Sequence, residues 1–283
     1  MAALLAFTSA MLFGVGDFMG GLAARRVRAL VVASWSQLVG LAAIVVLVLV
    51  LPPAHPHPAD LAWGAAAGLV GAMGLLLLYT ALAAGPMSVA APITAVLSAI
   101  VPAAAGLAFG ERPGPLAAVG VLLALPAIVL IAQAEEPPGV PDRARATIRD
   151  LLPAFGAGLG FGLFFVFLQR TSGHAGLWPL VSARSCSMVG LFALALLRPG
   201  RVGLVKGTHR LVIVCGLCDA GANALYLAAV TRGLLSLVAV LAALYPASTV
   251  VLARVVLKER MRALQLVGLA LAAVAAGLVA VAA

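Results

Sequence analysis

The chain has 283 residues, of which 64% are hydrophobic and only 10% charged, with a net charge of +9 and a mean hydropathy of +1.18. A soluble domain carries about 25% charged residues, so this composition excludes a soluble protein and leaves a polytopic one, almost entirely intramembrane. In a soluble chain such a positive charge would point to nucleic acid; here no basic run is interleaved with aromatics, and the charges lie between apolar runs, where they set orientation and meet anionic lipid headgroups.

A hydrocarbon core of about 30 Å needs roughly 20 apolar residues per helix. Apolar runs of that size predict helices at about 3–22, 30–51, 60–83, 88–109, 115–132, 150–170, 176–197, 209–230, 235–256 and 263–282. The first has no positively charged segment ahead of it and is read as a membrane span, not a cleaved signal. Pro52-Pro53, Gly85-Pro86, Pro113-Gly114-Pro115 and Arg198-Pro199-Gly200 separate the runs. The longest polar piece, Gln133 to Arg149, sits mid-chain.

Residues recur across that piece at an offset of 148: Gly14 with Gly162, Ser34 with Ser182, Gly68 with Gly216, Glu111-Arg112 with Glu259-Arg260, and Gly120 with Gly268. The expected organisation is therefore a first five-helix repeat over 1–134, a polar linker over 135–149 and a second five-helix repeat over 150–283. Fourteen of the 18 Lys and Arg residues fall in the loops after spans one, five, seven and nine. By the positive-inside rule those loops are cytoplasmic and both termini lie outside. An odd number of spans per repeat inverts the second half. The fold class expected is an all-α polytopic membrane protein, ten transmembrane helices as two inverted five-helix repeats, in the cell (inner) membrane.

Gly16-xxx-Gly20, Gly64-xxx-Gly68, Gly156-xxx-Gly160 and Gly158-xxx-Gly162 allow close helix approach. They fit packing within one bundle or, alternatively, a dimer seam, so monomer and homodimer both stay open.

An ionisable side chain within a span costs about 2.5–3.5 kcal/mol on insertion scales. Asp17, Arg184 and Asp219 are the ones well inside helices. At about 1.5 Å rise per residue, Arg184 and Asp219 reach nearly the same depth near the midplane. Two readings stand together: a structural ion pair that lets both spans insert, or a charge pair on a translocation path with Asp219 exchanging a proton or a cationic substrate. Asp17, near the cytoplasmic end of the first span, is a gate or substrate contact, or an interfacial partner of Arg25 or Arg26.

Cys215, Asp219, Asn223 and Tyr226 share one face of the eighth span. Lipid cannot satisfy that face, so it looks into the bundle or a wet cavity. Tyr245, Ser248 and Thr249 adjoin Pro246 in the ninth span; Tyr79 ends the third, and Thr94 and Ser98 lie between Pro92 and Pro102 in the fourth. Tyr79, Ser98, Asp219, Asn223, Tyr226 and Tyr245 form the candidate substrate-binding group. Cys215-Gly-Leu-Cys218 lies mid-helix with no second pair to complete a zinc site, and His55 and His57 have no further ligands nearby. Phosphate-loop, zinc-protease and nucleophile-elbow motifs are absent. No cofactor or metal is expected and the chain is not read as an enzyme; its partners are a small-molecule substrate and membrane lipids, with no nucleic acid.

Phe109-Gly110-Glu111-Arg112 and Leu257-Lys258-Glu259-Arg260 with Gln265-Leu266-Val267-Gly268 resemble the repeated signature of the drug/metabolite transporter superfamily, ten-helix EamA-like type. Ala243-Leu244-Tyr245-Pro246 is similar to its Tyr-Pro segment, and Phe13-Gly14-Val15-Gly16-Asp17-Phe18 to its opening motif, with Phe13 in place of Trp. The resemblance implies a basket of inverted repeats around a central cavity, and secondary export of amino acids, metabolites, nucleotide sugars or lipophilic cations. Glu111 and Glu259, at helix junctions, are read as capping and packing elements. The expected function is a secondary active transporter exporting a small metabolite, an amino acid among the candidates, by alternating access, with proton coupling as an option. The alternative is multidrug or lipophilic cation efflux, against which stand the 6% aromatic content and the positive charge of Arg184; a non-transporting membrane scaffold is the third reading.

Overall fold

The computed structural model describes residues 1–24, 26–84, 87–131, 148–198, 202–256 and 262–282. Eleven α-helices follow one another: α1 (Ala2–Ala24), α2 (Ala29–Val50), α3 (Pro58–Ala84), α4 (Met87–Ala108), α5 (Pro115–Ile131), α6 (Ile148–Gln169), α7 (Trp178–Leu197), α8 (His209–Val230), α9 (Leu235–Ala242), α10 (Pro246–Val256) and α11 (Ala263–Ala282). The described residues form no strand. Eight spans are long and apolar enough to cross a membrane, and two further apolar helices are shorter. Most of the expected linker, along with Glu259, lies outside the described residues.

One expected helix is corrected. The ninth span is not a continuous helix over 235–256 but the pair α9 and α10, broken at Ala243-Leu244-Tyr245. Pro246 has no N–H to give to Ala242, and its ring crowds that carbonyl. The chain tightens instead into three-residue turns, Leu244 N–H donating to Leu241 O at 3.2 Å and Ala247 N–H to Leu244 O at 2.9 Å. The Ala242 carbonyl accepts Tyr245 N–H at 3.3 Å instead, and the Tyr245 carbonyl accepts Thr249 N–H at 3.4 Å and the Ser248 hydroxyl at 3.0 Å.

The two halves run in opposite senses, and glycine contacts across their interface are reciprocal. A Cβ at Gly120 in α5 would meet Ala275, Leu278 and Val279 of α11, and one at Gly268 in α11 would meet Leu130 and Ile131 of α5. The start of each helix thus touches the end of the other. Gly14 likewise lies against Tyr245 and Ser248, while Gly162 lies against Val101. Helix α1 packs on α8 as α3 packs on α6, and α2 pairs with α7 across the same interface. Bilayers give no hydrophobic drive for apolar helices to associate, so such close backbone approach supplies the cohesion.

At the end of the bundle holding the N-terminus, carboxylates of the first repeat clasp backbone of the second. Gly110, at φ 92, closes α4 with a Schellman turn in which Glu111 N–H donates to Gly106 O at 3.0 Å and Gly110 N–H to Leu107 O at 3.0 Å. This aims the Glu111 side chain at the start of α9, where Leu235 N–H donates to Oε1 at 2.6 Å and Ser236 N–H to Oε2 at 2.9 Å. Gly106 has no side chain to collide with that carboxylate. The capping role expected of Glu111 is thus observed, although the helix it caps belongs to the other repeat. Asp60, buried at the start of α3, accepts Ser172 N–H at 2.7 Å, the Ser172 hydroxyl at 3.0 Å and His57 N–H at 2.8 Å. The guanidinium of Arg170 lies 3.9 Å from the Phe109 ring centre. At the opposite end the described contact is smaller: Trp35 donates to Val202 O at 2.9 Å and meets Phe192 edge-on.

Gly268→Val inserts bulk against α5 backbone, where overpacking costs about 1–3 kcal/mol. The expected outcome is a clear fall in melting temperature in detergent, whereas Gly277→Val, with nothing within 4 Å of its Cβ position, stays close to wild type.

Candidate functional site

The site is built around a cation that apolar surroundings would not tolerate alone. Arg184, in α7, is 4% exposed. Its guanidinium lies 2.6 Å from Asp219 Oδ2 of α8 and donates to Gln37 Oε1 of α2 at 2.7 Å. This is the one ion pair found among the described residues. Room for it comes from Gly40, one turn beyond Gln37: a Cβ there would sit 2.8 Å from the guanidinium nitrogen. The pair joins three helices from both repeats. Its symmetry counterparts at an offset of 148 are Ser36 and Gly71, so the charges belong to one side of the pseudosymmetric scaffold.

The face of α8 carrying Asp219 points into the bundle, since Ile213, Val214 and Leu217 are exposed on the opposite face. Asn223, one turn along, donates its amide to Asp219 O at 2.8 Å and to Asp219 Oδ1 at 3.2 Å. Tyr226, a further turn along, stacks on Phe165 of α6 at 4.3 Å between ring centres, and Phe165 in turn meets Phe13 of α1. The Asn223 carbonyl oxygen and the Tyr226 hydroxyl are buried with no hydrogen-bond partner.

Asp17 completes this arrangement from α1. Gly16 and Gly20 face α8, and Gly14 faces α10; Asp17 projects between those two contacts, within electrostatic reach of Asp219 and Tyr245. Ala3, Ala6, Ala10, Gly14, Asp17 and Gly21 form one helical stripe. Its first four members are buried and the last two exposed, while the exposed Leu4 and Thr8 lie on another side of the helix. Exposure along this stripe therefore rises towards the C-terminal end of α1. Along the facing stripe of α8, exposure falls in the opposite direction, from 31% at the Asp219 side chain to 4% at Asn223 and 0% at Tyr226. The polar ladder is open at one end and sealed at the other, the end clasped by Glu111 and Asp60.

The structure brings together Asp219, Asn223, Tyr226, Arg184, Asp17 and Tyr245 from the candidate residues. Tyr245 is half-buried within the α9–α10 break. Ser98 is buried and donates to Ala95 O of its own helix at 2.8 Å. The side chain of Tyr79 lies outside the described residues, as does Arg25. Asp17 forms no ion pair with Arg26. Sequence reasoning overlooked Gln37, although a lone amide amid the apolar run of α2 is a usable signal. Asp60 was also missed, for its partner lies 112 positions away.

A two-repeat, ten-span bundle with a polar interior defines a multi-pass membrane protein. The EamA-like transporter family model matches residues 1–133 and 150–281, and the chain belongs to that family. It is a membrane transporter of the drug/metabolite type. A protein of known crystal structure, 18% identical, is similar over 100% of this chain and 99% of its own, with a TM-score of 0.82; at that identity the likeness concerns the fold. No curated protein matches the chain.

Breaking a buried pair by removing one partner costs about 3–5 kcal/mol, because a charge is left uncompensated. Arg184 is the more deeply buried partner, so Asp219→Asn is expected to lower the melting temperature more than Arg184→Gln. The double variant should recover part of the loss, as thermal unfolding in detergent would show.

Proposed function

We propose that this chain is a secondary active transporter that exports a small metabolite, with amino acids as one substrate class, across the inner membrane by alternating access. The observation that carries this reading is the graded interior stripe, exposed at Asp17, partly exposed at Asp219 and closed at Tyr226. A site reached from one end and sealed at the other is one half of an alternating-access cycle. Under the positive-inside rule the open end is cytoplasmic, which places both termini outside and suits loading for export. The sealed end depends on backbone N–H groups held by Glu111 and Asp60, bonds that separate without disturbing the core of either repeat.

A second reading, efflux of lipophilic cations, gains from the geometry. The sequence-based objection was repulsion by Arg184. That guanidinium is buried and already engaged by Asp219 and Gln37, so it presents no free positive charge to the open stripe.

Transport is tested in proteoliposomes preloaded with candidate metabolites and placed in a counter-gradient. Asp219→Asn is expected to slow exchange at least tenfold; unchanged rates and unchanged pH dependence would remove Asp219 from the transport path. In a background without the native cysteines, Ser236→Cys, beneath the Glu111 clasp, is expected to resist an impermeant maleimide at rest and to react during turnover. Equal reactivity in both conditions would contradict alternating access at that end.

A further inference from the structure

Resting on the alternating-access reading, we propose that the Tyr226 hydroxyl is a second docking point for the Glu111 carboxylate, taken up when the sealed end opens and Glu111 lets go of α9. In the closed arrangement each Glu111 oxygen accepts one backbone N–H, from Leu235 at 2.6 Å and from Ser236 at 2.9 Å. Two hydroxyls beside this clasp are idle. Ser236 Oγ and the Tyr226 hydroxyl are both buried without a hydrogen-bond partner among the described residues. Burial penalises such groups, and native structures keep few of them. The Asp60 clasp at the same end provides the contrast, since its neighbouring hydroxyl, on Ser172, already donates to the carboxylate at 3.0 Å.

What can reach the Tyr226 hydroxyl depends on which parts move. The residue is 0% exposed and its ring stacks on Phe165 of α6, so the hydroxyl is held in place. Asn223 Oδ1, also unpartnered, lies three positions back on the same helix, and its separation from the hydroxyl stays the same however the repeats rock. Arg184 has further N–H groups, but its pair with Asp219 holds it about 10 Å along α8 from Tyr226 at 1.5 Å per residue. The partner that can arrive therefore comes from the other repeat, and Glu111 is the carboxylate within electrostatic reach. Its backbone is anchored by the bond from its N–H to Gly106 O, and Gly106 has no side chain to obstruct a swing of the carboxylate. Leaving α9 exchanges two N–H contacts for a charge-assisted bond from the hydroxyl, a short and strong type. The released N–H groups and the Ser236 hydroxyl then meet the water that enters. The carboxylate is thus satisfied in two positions, as a gate that reopens on every cycle requires.

The test reads opening of this end in the full-length protein in proteoliposomes, with no solute added. In the background without native cysteines, Ser236→Cys keeps the N–H that Glu111 holds, and its labelling by an impermeant maleimide follows the open fraction. Adding Tyr226→Phe is expected to slow labelling at least fivefold and to raise the melting temperature, because an idle hydroxyl is removed and the released carboxylate loses its partner. Glu111→Ala is expected to speed labelling at least tenfold, and in that background Tyr226→Phe changes the rate less than twofold; Glu111→Gln replaces it where the alanine variant does not fold. Labelling that Tyr226→Phe leaves unchanged or accelerates overturns the proposal, as does slowing that persists in full without the Glu111 carboxylate. A lowered melting temperature for Tyr226→Phe overturns it too, since the hydroxyl then has a bound water as its partner. Counterflow of the preloaded metabolites separates the two levels of inference. Labelling that obeys this scheme without counterflow removes the transporter reading alone, whereas counterflow with labelling indifferent to Tyr226 removes this one alone.

Discussion

A guanidinium held within a lipid-embedded bundle dictates the arrangement of everything near it. Arg184 has to find a carboxylate, and Asp219 lies on the next helix at the same depth, 2.6 Å away. The pair still leaves guanidinium protons to place, and Gln37 from the other repeat takes one of them. Gly40 must remain without a side chain so that the group can pass. One charge therefore fixes the relative positions of α2, α7 and α8, and it leaves α8 presenting a polar face towards α1 and α6. The polar ladder from Asp17 to Tyr226, open at the Asp17 end alone, follows from that orientation.

Cohesion elsewhere comes from small residues and from backbone groups. Glycines at matching positions in the two repeats touch matching partners, which is how a duplicated chain packs against its own inverted copy. At the clasped end, Gly106, Gly110 and Glu111 act as a unit. The first gives space, the second turns the chain, and the third satisfies two N–H groups of α9 that no helical carbonyl can reach. Asp60 does comparable work for the segment around Ser172. Both carboxylates tie one repeat to the other, and both leave the helices of each repeat intact.

Much of this was legible in the sequence. Nine of the ten spans stand within a few residues of their expected limits, because apolar runs of membrane length bounded by Pro and Gly leave few alternatives. The break in the ninth span was foreshadowed by Pro246, but proline in a membrane helix can bend or interrupt it, and the close approach of Gly14 to Tyr245 at the break is a tertiary contact that local sequence does not carry. The level shared by Arg184 and Asp219 could be counted from helix rise alone. Their third partner could not, since Gln37 is 147 positions from Arg184 and only the tertiary arrangement joins them. Ser98 shows the converse limit: a hydroxyl in a suggestive place satisfied itself on its own helix, as Ser and Thr in apolar helices commonly do.

The charge pair has no twin. Ser36 and Gly71 occupy the equivalent places in the other repeat, so turning the scaffold inside out does not regenerate the same structure. Two perfectly equivalent halves would rest equally in either orientation. Under the alternating access proposed above, the unmatched charges would make the two orientations unequal in free energy and give the empty molecule a preferred resting side. Such a bias would govern where solute is first encountered and how long each orientation lasts; the direction of net flux would still belong to the gradients on either side.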